Sequence, residues 1–143
     1  MDKRLWLKVA AGLSFSMAAC QAVIAVWPAA AAYFQAPPGL LNDRVRLFVV
    51  GGAAALIPVL FGLYALSGAG VIRRLPLLRT ALVGIGSLFL LRGLFIILTV
   101  LVALGVLQGQ VSLPGMASHL VFLSAGIAYL AGAVLNWKTP KSR

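Results

Sequence analysis

Four long apolar stretches, Leu5–Trp27, Leu47–Ser67, Leu77–Leu107 and Gly115–Trp137, decide what this chain can fold into. Crossing a hydrocarbon core of ~30 Å takes about 20 helical residues, and each stretch is that long. Helices are the expected form, because each then satisfies its own backbone donors and acceptors without water. A β-barrel needs segments of about 10 residues that alternate polar and apolar, and these stretches do not alternate. Composition agrees. Hydrophobic residues make up 62% of the 143 residues and charged residues 10%, against roughly 45–50% and 25% in soluble domains. A globule of this size could not hide so much apolar surface from water. The reading is a single all-α membrane domain, an up-down bundle of four transmembrane helices, and it excludes a water-soluble enzyme or DNA-binding module.

Charge sets the expected orientation. Lys and Arg total 12, Asp and Glu total 2, and the formal charge is +10. The N-terminal segment carries Lys3, Arg4 and Lys8, the second connection Arg73, Arg74 and Arg79, and the tail Lys138, Lys141 and Arg143. Those nine fall on one side, against Arg44 and Arg46 on the other. The positive-inside rule then places both termini in the cytoplasm. Clusters at the ends of apolar runs point to anionic lipid headgroups, with Arg73, Arg74, Arg79 and Lys138 as their contacts, and not to nucleic acid. Trp6 and Trp27 bracket the first stretch, and the roughly 21 residues between them cover about 31 Å of helix. The third stretch is longer than a bilayer needs, so it should tilt, kink or project. Pro76 is expected to mark its start.

Between the first two spans, residues 28–44 hold Tyr33, Phe34, Pro37, Pro38 and Gly39. This composition reads as a short interfacial helix followed by a turn, with Asn42 or Asp43 capping the second span. The sequence around Cys20 loosely resembles a lipoprotein processing site, but the apolar run continues well beyond it, so a retained first helix is expected. Small residues suggest where helices meet: Gly51, Ala55, Pro58, Gly62 and Ala65 on the second span, and Ser124, Ala128 and Gly132 on the fourth. Gly86 and Gly93 do so on the third, and Gly12 with Ser16 and Ala18–Ala22–Ala25 on the first.

One charge sits inside a span. Arg92, within LLRGLF, lies near the middle of the third stretch, where a charge costs about 2.5–3.5 kcal/mol on insertion scales. Such a residue either faces a functional site or is merely satisfied by carbonyls and water. No carboxylate lies in any span to neutralise it. Gln21, Ser87, His119, Ser124 and Tyr64 are the uncharged candidates, Gln21 and His119 toward the outer side beneath Asp43 as a lid and only Ser124 close to mid-depth. A cavity of Arg92, Gln21 and His119 would suit an anionic ligand, either a lipid headgroup or a small anion.

Catalysis and cofactors find little support. His119 is the sole histidine and Cys20 the sole cysteine, so no haem, zinc or dithiol site can be assembled and no metal or cofactor is expected. Ser67 and His119 fall at opposite membrane depths, which rules out a nucleophile–base pair. The absence of Glu sets the chain apart from proton-coupled small multidrug exporters.

YALSGAG at Tyr64–Gly70, IRRLPLLR at Ile72–Arg79 and LLRGL at Leu90–Leu94 resemble a group of small four-span bacterial inner-membrane proteins of uncharacterised activity. The likeness covers the second and third spans and their connection. It implies a bacterial plasma-membrane location and four spans, and brings no activity to carry over. The sequence therefore leaves two readings. One is a non-catalytic accessory protein that packs against lipids, other membrane subunits or itself. The other is a small carrier or binding protein for an anionic or amphipathic ligand, centred on Arg92.

Overall fold

In a computed structural model of the chain, residues 3–34, 36–108 and 112–137 are described, apart from the side chains of Lys3, Asn136 and Trp137. Lys138, Lys141 and Arg143 lie outside them. Six helices follow one another: α1 (Lys3–Val26), α2 (Pro28–Tyr33), α3 (Pro38–Leu41), α4 (Arg44–Gly68), α5 (Leu78–Ala103) and α6 (Leu113–Trp137). Four of them, α1, α4, α5 and α6, are long and apolar enough to cross a membrane. Their outward faces are apolar, with Phe48, Leu56, Leu60, Leu88 and Leu91 all exposed. A belt of that extent suits hydrocarbon as its solvent.

Local chemistry explains the helix ends. The Asp43 carboxylate accepts a hydrogen bond from the Arg46 amide at 3.0 Å and caps α4. The short helices α2 and α3 occupy the connection expected to be interfacial, each opening on a proline. Two glycines stop spans. Gly70 (φ 74°) and Gly105 (φ 73°) adopt the left-handed conformation, which costs glycine nothing. Around them the Val71 amide reaches the Leu66 carbonyl at 3.0 Å, and the Val106 amide reaches Leu101 at 2.9 Å. These are Schellman closures. The third apolar stretch is thus cut at Ala103, four residues short of its expected end. Its start also differs: α5 begins at Leu78, after Leu77 in a left-handed conformation (φ 51°), and not at Pro76.

Packing divides the bundle into two hairpins. Antiparallel α1 and α4 form one, α5 and α6 the other, and the hairpins join mainly where α1 meets α6. Although α4 and α5 are consecutive spans, they touch along only a short length, near the edge-to-face rings of Phe61 and Phe89 (5.4 Å between centroids). Glycines set the closest approaches. A Cβ on Gly51 would lie 2.7 Å from the Ala25 Cβ, and one on Gly93 would lie 2.6 Å from the Leu123 Cα. Gly126 is as tight against the Leu90 amide nitrogen, at 2.6 Å. Not every small residue faces a neighbour. Gly12, Ser16, Ala22 and Ser124 point outward, and the buried residues of α1 are Leu7, Ala10, Ala11, Ser14, Ala18 and Ala25.

The core, built on Leu7, Ala65, Leu82, Phe89, Ala125 and Tyr129, occupies the half of the bundle nearer the chain termini. At its centre Tyr129 and Ser14, both fully buried, share a hydrogen bond of 2.8 Å between α6 and α1. The opposite half is less filled. Arg92 lies there.

Candidate functional site

Arg92 falls near the midpoint of α5, so its backbone is deep in the apolar zone while its long side chain reaches toward the α2 end of the bundle. Its guanidinium carbon lies 5.7 Å from the ring centroid of Phe95, one turn further along α5. It lies 5.5 Å from that of Phe122 on α6. Cation–π contact of this kind is worth ~0.5–2 kcal/mol, depending on desolvation, and offsets part of the cost of holding the charge there. Among the described residues, no carboxylate pairs with Arg92 and no acceptor takes a hydrogen bond from its guanidinium. Asp43, the one acidic side chain described, sits in its cap of α4 beside Arg46 (3.8 Å).

Beside the guanidinium lies an open cavity of about 330 Å³. Arg92, Phe95, Ser118, His119 and Phe34 contribute to its wall, together with the first turn of α6. That turn is fixed by Ser112, whose hydroxyl accepts the Gly115 amide at 3.3 Å. Pro114 follows at the position where a missing amide hydrogen is harmless. Ser118 is already bonded to the Gly115 carbonyl at 2.7 Å. The His119 ring stacks on Phe95, with centroids 6.4 Å apart and planes 21° from parallel. Its Nδ1 is buried with no hydrogen-bond partner. The wall therefore offers a fork of N–H donors on a cation and two phenyl rings.

The sequence-derived candidates divide. Arg92 and His119 come together in this cavity, whereas Gln21 on α1 and Asp43 are not part of its wall. Ser124 faces outward and bonds the Leu120 and Val121 carbonyls of its own helix at 2.9 and 3.0 Å. Ser87 is exposed and Tyr64 packs against the core near the opposite end. Phe95 was readable beforehand, since residues three apart share a helix face. Phe34 and Phe122 were not, because nothing in the sequence sets how the α2 segment folds back or how α6 is rotated.

The expected headgroup residues lie at the other end. Arg73, Arg74 and Arg79 are exposed there, and Arg74 and Arg79 border a second cavity of about 450 Å³. Lys138 is outside the described residues. No group of three or more His, Cys, Asp or Glu among the described residues could hold a metal ion. Comparison with known proteins finds no matching family model, no matching curated protein and no matching solved structure.

Proposed function

We propose that this chain is a non-catalytic, four-span protein of a bacterial inner membrane, with both termini in the cytoplasm. In this reading the Arg92 cavity binds the acidic head of an amphipathic anion. The carrying observation is that Arg92 has a cavity beside it and, among the described residues, no anionic partner. A purely structural arginine would be expected to end in carbonyls or side chains of neighbouring helices. A carboxylate or phosphate reaching the guanidinium would gain a charge-assisted, bidentate contact in a setting of low dielectric. Phe34 and Phe95 would cover the apolar part of the same molecule. The basic-residue bias between connections supports the orientation, and the YALSGAG, RRLPLLR and RGL segments support the bacterial setting by resemblance. Packing against other subunits remains compatible with the wide apolar exterior, but no single feature of the surface selects a partner.

Native mass spectrometry of the full chain in detergent, with oleate and uncharged oleyl alcohol as paired probes, tests the reading. Oleate should be retained over the alcohol by about tenfold, and Arg92→Leu should abolish that preference while leaving the bundle folded or slightly more stable. Equal retention of the two probes by the native chain, or an unchanged preference in Arg92→Leu, would overturn it.

A further inference from the structure

The larger cavity lies at the end of the bundle away from Arg92 and is independent of it. It opens between the start of α1, the end of α4, the connection 69–77 and the start of α5. Arg4, Arg74 and Arg79, from three separate segments, line it above a floor that includes Leu82 and Ala133. We propose that this cavity is a binding site for a phosphate group, carried by an anionic phospholipid or by a soluble phosphate.

Three features build the site beyond a general excess of positive charge. The first is a clamp on the connection. Ser67, 2% exposed, donates its hydroxyl hydrogen to the Arg73 carbonyl at 3.1 Å and accepts the Leu75 amide at 2.9 Å. Both peptide groups flanking Arg74 are thereby held, and Arg74 is fixed at the cavity while Arg73 does not line it. The second is the start of α5. Leu77 stands at its cap position in a left-handed conformation (φ 51°), and its side chain makes no capping hydrogen bond. A left-handed leucine is strained, and such strain persists only where the surroundings enforce it. Here it brings Leu78, Arg79 and Thr80, the first turn of the helix, to the cavity wall. The positive end of the α5 dipole and its first amides then add to the guanidinium groups. The third is the neighbouring end of α4, whose negative pole would oppose an anion. The Gly70 closure occupies the Leu66 and Ser67 carbonyls with the amides of Val71 and Gly70, so those acceptors are already engaged.

A cationic rim over an apolar floor fits a phosphate diester attached to a hydrocarbon body, and the rim alone fits a free phosphate. The experiment uses the full chain in nanodiscs of equimolar phosphatidylglycerol and phosphatidylcholine, released for native mass spectrometry. The native chain should keep phosphatidylglycerol over phosphatidylcholine by about tenfold. Arg74→Gln should remove most of that preference, and Arg73→Gln, which deletes the same charge outside the cavity, should change it less than about twofold. Ser67→Ala leaves every charge in place and should weaken retention several-fold by releasing the clamp. Circular dichroism and gel filtration report whether each variant is folded. In phosphatidylcholine discs, calorimetric titration with inorganic phosphate reads the other source. Saturable heat lost in Arg74→Gln assigns the site to soluble phosphate, and lipid retention without such heat assigns it to the headgroup. Equal losses in Arg73→Gln and Arg74→Gln, or binding of neither probe, would overturn the proposal.

Discussion

Tyr129 and Arg92 show how differently single residues announce themselves. Arg92 was legible because a charge within an apolar run has no ordinary explanation. Tyr129 was not: a tyrosine in the last third of a membrane span reads as an interfacial anchor. The structure instead buries it completely and gives its hydroxyl to Ser14. Its ring lies 5.7 Å from that of Phe89, so Tyr129→Phe keeps the packing and removes only the bond. Ser14 can then turn to a carbonyl of its own helix, as Ser16 does to Gly12 at 2.9 Å. Buried hydrogen bonds between membrane helices average about 0.6 kcal/mol. Tyr129→Phe should therefore lower stability by about that much in a denaturation titration in detergent, and a cycle with Ser14→Ala should return a coupling of the same size.

At the scale of the element, the number and approximate place of the spans were written in the sequence, and their rotations were not. In a soluble helix the polar face marks the outside. In lipid both faces are apolar, so spacing of small residues gives a stripe without saying which stripe is buried. Hence Gly51, Gly62 and Gly93 face neighbours as their spacing suggests, while Gly12 and Ser16 face outward. The early stop of α5 was recoverable in principle, because Gly105 is the last glycine of that apolar run and a glycine near a span's end suits a left-handed cap. Gly93→Ala would set a methyl 2.6 Å from the Leu123 backbone, and parting the helices should cost about 1–3 kcal/mol. Gly12→Ala meets nothing within 4 Å and should leave stability unchanged or raise it. Parallel thermal unfolding of the two variants in detergent checks the contrast.

For the whole molecule, composition was enough to fix the class of fold, and short connections suggest that consecutive spans are neighbours. The second suggestion holds only in part. The nine-residue connection 69–77 does not bring α4 and α5 together along their length; the two hairpins are joined mainly through α1 and α6. Orientation is tested at this scale with single cysteines placed in a Cys20→Ser background, since Cys20 is exposed. Gly39, with open space at its Cβ position, and Val71 lie at opposite ends of the bundle. Gly39→Cys should react with a membrane-impermeant maleimide in intact cells, and Val71→Cys only after the membrane is opened; the reverse pattern would invert the topology. The contact between α1 and α6 also imposes a timetable on biosynthesis. A ribosome delivers α1 and α4 well before α6, so Leu7, Ala10 and Ser14 must wait in lipid for the surface that will cover them. The fourth span is the one that completes the first.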